Sequence, residues 1–502
     1  MRLLLAFAGS RGDAQPGVLI GQELQRRGHH VTLAVSPNLV DFARDQGFSA
    51  KPFGLDSDDL LRTQRDDRRF TSRNPLRQIR ATLDLQRRGF GEAALDLLDI
   101  AGDAEVLVTG MACEEAAAEV ARIRAIPLAA VHFFPIVPNR AVPVVPAAWA
   151  RRLPGTAHRL GWQALTKARA WALAPEIAAL RRATAPGRAP HATQVPASSP
   201  TPQPNPHSHT DISGAEVLRV IPELKLHAGG GVLELTPSAL RPSADPSLPA
   251  RDVAAVGRSG TAATPGRIAI QAYDPELFPG LESALGDAPV TGFPVVPSGT
   301  SAITCANGPA AIEPRPELRD WFAAGSAPVY VGFGSMPVGD PDAVEAMVRE
   351  VGRRLGMRIL LVGGIFRARI RADMAVVGQV DHRAVLPKCA AAVHHGGAGT
   401  TAAVLRAGVP AVVCSVQADQ PYWGQQVEAL GLGVTVPFAQ ITANRLEQAL
   451  IRATRPEVVL RASAYGLRFR DDGVARAADA IESIASEQRS SLTGAVSRGM
   501  LL

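Results

Sequence analysis

Aromatic residues are scarce in this chain. Phe, Trp and Tyr make up 5% of its 502 residues, so we expect Ala, Val and Leu to pack the core. The four cysteines are far apart and lack metal-type spacing, which is typical of small buried residues in a reducing compartment. No uncharged apolar run reaches the roughly 18–20 residues of a membrane span. The sequence therefore predicts a cytoplasmic protein with no metal site.

The excess of positive over negative charge is also small. The net charge of +6 is small for 502 residues, and the dense basic stripe of a nucleic-acid groove is missing. Nucleic acid is therefore not an expected partner, whereas a small anionic ligand suits a mildly basic protein. One arginine-rich stretch predicts a solvated face or, alternatively, peripheral contact with the anionic inner face of the membrane. Its members are Arg62, Arg65, Arg68, Arg69, Arg73, Arg77, Arg80, Arg87 and Arg88.

Strand-like and helix-like segments alternate in two parts of the chain. Residues 2–8 are apolar and end at Gly9, an amphipathic stretch follows to Arg27, and residues 30–35 are apolar again. This order predicts the start of a parallel α/β sheet rather than a signal peptide. A similar alternation resumes at Pro328. Two α/β domains in one chain predict a ligand cleft between them.

A compositionally different tract separates the two parts. It begins with prolines among Ser, Thr, Asn and His and continues with few aromatic residues, which predicts a long, poorly ordered insert. The predicted organisation is an N-terminal domain, an insert, a C-terminal domain with terminal helices and a flexible tail, at residues 1–185, 186–267, 268–485 and 486–502.

The segment from His394 to Gln420 is the most informative. An apolar strand ends in two histidines, a glycine-rich turn follows, and Thr400 and Thr401 open a helix. Small residues let a bulky anion approach the backbone, and a helix N-terminus offers free amides and a positive dipole. The segment predicts a diphosphate cradle, although a tight strand–helix turn without a ligand also uses glycine.

Three motifs carry a family resemblance. HHGGAGTT followed by ADQPYWGQQV resembles the donor motif of GT-B glycosyltransferases of the UDP-glycosyltransferase superfamily. GSRGDAQP and PVYVGFGSMP resemble its bacterial branch, which glycosylates glycopeptide antibiotics, sterols and mycobacterial glycopeptidolipids. The resemblance covers residues 1–185 and 268–485. It implies an α/β GT-B fold, with an acceptor-binding and a nucleotide-sugar-binding Rossmann-like domain facing each other across a cleft.

The resemblance also implies a reaction and a set of residues. The reaction is the inverting transfer of a hexose or deoxyhexose from a nucleoside-diphosphate sugar, without metal or other cofactor, to a hydroxyl of a lipid, lipopeptide, sterol or other secondary metabolite. The diphosphate would be held by His395, Gly397, Ala398, Gly399 and Thr400, the sugar by Asp419 and Gln420, and the nucleotide by Gly334, Ser335 and Val380.

Two residues of the N-terminal half are candidates for the acceptor side. Asp13 resembles the catalytic aspartate of the antibiotic-modifying members, which removes the proton of the acceptor hydroxyl. A helix N-cap is the alternative role, because Asp13 stands shortly before Pro16 and an apolar helix. His132 ends a predicted strand and is either an acceptor contact or a core histidine.

Two other classes of protein compete with a glycosyltransferase. A catalytically silent relative acting as a helper or binding protein would fit the long insert, but such a relative has no need to keep Asp13, His395, Asp419 and Gln420 together. A nicotinamide-dependent oxidoreductase would need G-x-G-x-x-G after the first strand and an acidic residue ending the second. The chain has neither.

Overall fold

The structure is a computed structural model. It describes residues 1–69, 75–146, 149–184, 266–297, 316–334, 336, 339–416 and 418–499. Apart from its last two residues, the predicted insert at 186–267 lies outside these ranges, and so does Ser335.

The first sheet has six parallel strands. They are β1 (Arg2–Phe7), β2 (His30–Val35), β3 (Ser49–Pro52), β4 (Val106–Gly110), β5 (Leu128–His132) and β6 (Arg267–Gln271). Their order is β3-β2-β1-β4-β5-β6. Leu5 stands opposite Leu33 on one side and Val108 on the other, and all three are fully buried. Continuous apolar strands of this kind are typical of a parallel sheet covered by helices on both faces.

Among the described residues before β6, six helices accompany this sheet. They are α1 (Arg11–Arg26), α2 (Val40–Asp45), α3 (Ser57–Asp66), α4 (Pro75–Ile100), α5 (Glu114–Arg124) and α6 (Gly155–Ala183). The apolar side of α1 buries Val18, Ile20 and Leu24 in the same cluster as Leu3 and Leu33. Ser10 is the N-cap of this helix, which therefore begins at Arg11, shortly after the end of β1.

The second sheet has seven strands. They are β7 (Val329–Gly332), β8 (Ile359–Val362), β9 (Arg369–Ile370), β10 (Met374–Val377), β11 (Ala391–His394), β12 (Ala411–Val413) and β13 (Gly433–Thr435). Their order is β13-β12-β11-β7-β8-β10-β9. Only the edge pair β9 and β10 is antiparallel among these strands. The two sheets confirm the predicted pair of Rossmann-like domains.

Nine helices follow β6 in the part of the chain that the structure describes. They are α7 (Glu282–Leu285), α8 (Pro316–Ala323), α9 (Pro341–Leu355), α10 (His382–Val385), α11 (Ala398–Arg406), α12 (Gln420–Ala429), α13 (Ala443–Ala453), α14 (Pro456–Arg468) and α15 (Gly473–Gly499). Within the described ranges, no helix is both long and apolar enough to cross a membrane.

Two elements belong to a different sheet or domain from the one predicted. β6, expected at the start of the C-terminal domain, pairs in parallel with β5 and so extends the first sheet, since the edge of β5 would otherwise be unpaired. Helix α15 returns to the first domain, where Ala477 and Ile481 join the cluster around Leu24 and Arg27 pairs with Glu482 at 2.7 Å. The helix also runs to Gly499, through most of the tail predicted from residue 486.

The strand orders determine where ligands can bind. In the first sheet the chain reverses direction of travel between β1 and β4, and in the second between β7 and β11. Ligands of such sheets bind beyond the carboxyl ends of the strands at these switch points. The first turn of α1, shortly after β1, carries Asp13, and the loops after β7 and β11 carry Gly334 and His395, so the predicted site residues lie at the two switch points.

Candidate active site

The turn between β11 and α11 presents an uncapped helix N-terminus. Gly396 has φ of 89°, and a Cβ there would approach Val413 Cγ1 to 2.7 Å, so the tight turn requires glycine. Gly397 is the N-cap of α11 and has no side chain to accept from the first amides. These amides and the positive end of the helix dipole therefore remain available to an anion.

His395 stands between two glycines at this turn. A Cβ on Gly397 would lie 2.5 Å from His395 Nε2, and a Cβ on Gly334 would lie 3.0 Å from Cε1. Burial lowers the pKa of His395 to about 4, although the Gly332 backbone alone would raise it. The ring is therefore neutral at pH 7 and keeps one N–H donor. Its Nδ1 has no hydrogen-bond partner among the described residues.

The neighbouring His394 has a structural role that the sequence did not distinguish from that of His395. The residue is fully buried, and its Nδ1 accepts from the Gly396 amide at 3.1 Å. Burial lowers its pKa to about 3, so the neutral ring fixes the glycine turn. The two histidines therefore have different roles, because His394 fixes the turn and His395 lies at the candidate anion site.

Asp13 is held at the start of α1. Its Oδ2 accepts from the Ser10 amide at 2.8 Å and from Ser10 Oγ at 2.9 Å. Ser10 is thus the N-cap and Asp13 the third helical residue of a capping box, so the alternative that Asp13 is itself the N-cap is wrong. Oδ1 makes no hydrogen bond within the described part of the chain. Burial raises the pKa of Asp13 although the Ser10 bonds lower it.

Gly9 permits this arrangement of Asp13. Its φ is 122°, a value that L side chains rarely adopt. A Cβ at this position would lie 2.5 Å from Asp13 Oδ2. Gly9 therefore allows the carboxylate to fold back onto the end of β1.

Asp419 stands at the start of α12, after β12. Trp423 Nε1 donates to its Oδ2 at 2.8 Å, and Trp423 is fully buried against the rings of Phe278 and Phe293. The preceding Ala418 has φ of 55°, an uncommon left-handed conformation for alanine. Burial, together with the charge of Asp13, raises the pKa of Asp419 to about 6.

Helices α1 and α11 connect the two domains at this site. Helix α1, whose first turn carries Asp13, contacts α11, which begins just after His395. Ala398, the first residue of α11, packs against apolar clusters that include residues of both domains. The charge of Asp13 also acts on Asp419, so the residues that follow β1, β11 and β12 belong to one region.

Gln420 is engaged within its own loop. Its Oε1 accepts from the Val416 amide at 2.9 Å, and its Nε2 donates to Met336 Sδ at 3.3 Å. The side chain is 5% exposed. In this state the amide shapes the loop that carries Asp419 and connects it to the loop after β7.

The other predicted contacts have mixed outcomes. Thr400 lies in the first turn of α11 and is half-buried, whereas Thr401 is fully buried. Val380 follows β10 and packs at the edge of the main cluster of the second domain. Gly334 adopts φ of 61° beside His395, and Ser335 is outside the described residues.

His132 does not open into the cleft as the acceptor hypothesis expects. The residue is 3% exposed. Its Nε2 lies 2.9 Å from Glu114 Oε2 and its Nδ1 lies 3.4 Å from Gln271 Nε2. Arg267 donates to the other Glu114 oxygen at 2.6 Å. The alternative of a core histidine is therefore the correct one, because neither nitrogen is left for a ligand.

No metal-binding group was found. Among the residues that the structure describes, no three His, Cys, Asp or Glu side chains converge as ligands.

Two family models match separate parts of the chain. The glycosyltransferase family 28 N-terminal domain matches residues 3–98, which include the loop of Asp13. The C-terminal domain of the erythromycin biosynthesis protein CIII-like family matches residues 367–480, which include His395 and Asp419. Each model therefore covers one side of the site.

A full-length relative decides the family. An uncharacterized glycosyltransferase of Mycobacterium tuberculosis is 32% identical over 496 residues, which cover 97% of this chain and 100% of the relative. The chain belongs to the UDP-glycosyltransferase superfamily. The glycosyltransferase is also 36% identical over 174 residues to a sterol 3-beta-glucosyltransferase of Arabidopsis thaliana, a match that covers 34% of this chain and 27% of the plant protein.

A solved structure agrees on the fold. The crystal structure of the glycosyltransferase VinC in complex with dTDP has a TM-score of 0.55 and 16% identity, covering 97% of this glycosyltransferase and 100% of VinC. This likeness confirms the GT-B fold expected from the three motifs. The chain is therefore a GT-B glycosyltransferase, an enzyme rather than a binding helper.

Proposed function

We propose that this glycosyltransferase transfers a hexose or deoxyhexose, with inversion, from a nucleoside-diphosphate sugar to a hydroxyl of a lipid, lipopeptide, sterol or other secondary metabolite. One observation carries the proposal. Helix α1, whose first turn carries Asp13, contacts α11 with its uncapped N-terminus, and the charge of Asp13 acts on Asp419. A base, a sugar contact and an anion site are thus within one cleft.

The donor diphosphate is assigned to the N-terminus of α11. The amides of Gly397, Ala398 and Gly399 face it, Thr400 adds a hydroxyl, and neutral His395 donates one N–H. Negative charge grows on the diphosphate as the glycosidic bond breaks, and fixed donors and a helix dipole stabilise that charge without reorganising. We propose that these groups suffice without a metal ion.

The nucleotide is assigned to the loops after β7 and β10. We assign Gly334, Ser335 and the backbone of Val380 as its contacts, because Gly334 lies beside His395 and Val380 follows β10. The dTDP complex of VinC supports a nucleoside diphosphate as the leaving group.

Asp419 is assigned to the sugar hydroxyls. Its Oδ2 is occupied by Trp423, which leaves Oδ1 to accept from the sugar. Gln420 is proposed as a second sugar contact, which would require its amide to leave Val416 or Met336.

Asp13 is assigned as the general base. Its Oδ1 takes the proton of the acceptor hydroxyl, the hydroxyl oxygen forms a bond to the anomeric carbon, and the bond from that carbon to the diphosphate oxygen breaks. Attack opposite the diphosphate inverts the anomeric configuration. A carboxylate whose pKa is raised by burial accepts a proton more readily than an ordinary one.

The acceptor is assigned as an apolar molecule that carries a hydroxyl. The match to a sterol glucosyltransferase favours an apolar molecule with a hydroxyl over a small polar acceptor. The acceptor lies on the side of the first domain, because Asp13 belongs to it.

A ligand-binding screen tests the proposal. We expect UDP, dTDP or GDP to raise the melting temperature, since a ligand that binds only the native state stabilises it. The matching nucleotide sugar should then be consumed with an apolar acceptor, and Asp13→Asn should bind the nucleotide but lose transfer. If none of the three nucleotides binds, the donor-site assignment is wrong.

A further inference from the structure

Helix α6 is apolar on two opposite faces. One face is buried and includes Trp162 and Leu173. On the other, Leu160 is 65% exposed and Trp171 is 45% exposed. The spacing of Leu160, Lys167 and Trp171 places them on one side of the helix. Surface helices normally have a polar outer face, so an exposed apolar stripe indicates an interaction site.

The turn before the helix has the same character. Trp149 is 60% exposed and precedes two exposed arginines. We call this set the α6 outer face: Trp149, Arg151, Arg152, Arg159, Leu160, Lys167 and Trp171.

The charge around this face has one sign. The chain has no Asp or Glu between Glu119 and Glu176, while eight arginines and lysines occur there. Some of these have partners elsewhere, as Arg169 does in Glu115 at 2.6 Å. The four cations of the α6 outer face form no ion pair within the described part of the chain, and all four are exposed.

We propose that the α6 outer face binds an anionic membrane surface. Tryptophan prefers the boundary between headgroups and acyl chains, leucine enters the apolar layer, and arginine and lysine attract lipid phosphates. A second copy of the chain is a poorer occupant, because a twofold contact would set this unbalanced positive charge against itself.

The arginine-rich stretch singled out in the sequence has a different character. Arg69 pairs with Asp67 and Asp84, both at 2.8 Å. Arg88 pairs with Glu92 at 3.2 Å. Much of that stretch is therefore a solvated face with internal ion pairs. We assign membrane contact to the α6 outer face instead.

The segment that leads into the α6 outer face contacts the second domain. Tyr422 donates to the Val144 carbonyl at 2.5 Å, and Gln425 donates to the Pro146 carbonyl at 2.7 Å. Both donors belong to α12, the helix that starts at Asp419, and both acceptors come shortly before Trp149. Given the proposed function, membrane binding would present the cleft to a lipid acceptor at the bilayer surface.

Vesicle binding tests the inference without any donor or acceptor. The full chain would be mixed with vesicles of phosphatidylcholine alone or with phosphatidylglycerol added, and binding followed by flotation and tryptophan emission. The chain has five tryptophans, and Trp162, Trp321 and Trp423 are buried. A blue shift on binding would therefore report the two exposed ones.

We expect binding to the anionic vesicles and little to the neutral ones. Combined Arg159→Gln and Lys167→Gln should weaken it about thirtyfold, and Leu160→Ser on the order of tenfold. Leu467→Ser is the matched control, because Leu467 is 88% exposed on α14, and it should bind like the wild type. Absence of binding by the wild type, or equal effects of the two leucine variants, would overturn the proposal. Because the readout needs no catalysis, failure here leaves the proposed reaction untouched.

Discussion

Replacing Asp419 by asparagine should make the protein more stable and less active. The carboxylate is forced into a poorly hydrated position near Asp13, and its pKa rises from 3.8 to about 6. At about 1.36 kcal/mol per unit, the charged form costs at most about 3 kcal/mol of folding free energy. Because the side chain is only half-buried, we expect about 1–2 kcal/mol after screening by water. An amide retains an acceptor for Trp423 and removes the charge.

The pH dependence gives this prediction a sign. A carboxyl group whose pKa is raised in the folded state destabilises the fold when both states are ionised, above about pH 6. The cost fades as the pH falls through 6 and disappears below the ordinary value of 3.8. The stabilisation by Asp419→Asn should therefore be largest near neutral pH and should largely disappear by about pH 3.5.

Urea unfolding at several pH values measures the stability, and sugar transfer under saturating donor measures the activity. We expect turnover to fall on the order of tenfold to a thousandfold, because the sugar contact loses its charge. Asp13→Asn should reduce the stabilising effect of Asp419→Asn, since it removes the repulsion. A less stable Asp419→Asn protein at neutral pH, or a stabilised one with full turnover, would refute the reasoning.

Three further predictions follow from the same site. Gly9→Ala should lower turnover on the order of a hundredfold by displacing the Asp13 carboxylate, whereas Gly28→Ala, with φ of 86° and nothing near its Cβ, should cost comparable stability in urea and no activity. His395→Ala should lower turnover on the order of tenfold to a thousandfold with an unchanged circular dichroism spectrum; wild-type kinetics would remove it from the site. Transfer should continue in EDTA, and a strict requirement for Mg²⁺ or Mn²⁺ would exclude the metal-free scheme.

Local sequence patterns predicted the two domains and the glycine-rich turn between β11 and α11, whose role in donor binding stays a prediction. The glycine-rich turn after His394 and His395 can be predicted from a few neighbouring residues. Its predicted ability to bind an anion depends only on the backbone that those residues form. The strand–helix connection before Asp13 was also predicted from nearby residues, but the role of Asp13 in the capping box depends on the residue at which the helix begins. That boundary is shifted by a few residues, from Asp13 to Ser10.

Long-range partners were beyond such patterns. His132 is buried by Glu114 and by Gln271, which is 139 residues away in the chain. Strand β6 looked like the start of the next domain because it follows the insert, yet its hydrogen bonds go back to β5. The amphipathic pattern of residues 473–499 predicts a helix but not the domain on which it packs. Its packing on α1 depends on distant partners such as Arg27. The contacts of the Gln420 amide with Val416 and Met336 were not predicted either, and its role as a sugar contact stays a prediction.

The central claim is that a nucleoside diphosphate binds at the N-terminus of α11. Gly399→Asp tests it most directly, because no atom lies within 4 Å of a Cβ at Gly399 and an acidic residue in the first turn stabilises a helix. The account predicts an unchanged or higher melting temperature, together with at least about a hundredfold weaker binding of the nucleoside diphosphate by titration calorimetry, since the carboxylate repels the phosphates. The matched Gly91→Asp variant, also with open space around its Cβ, should bind like the wild type. Wild-type affinity in a folded Gly399→Asp protein would contradict the account.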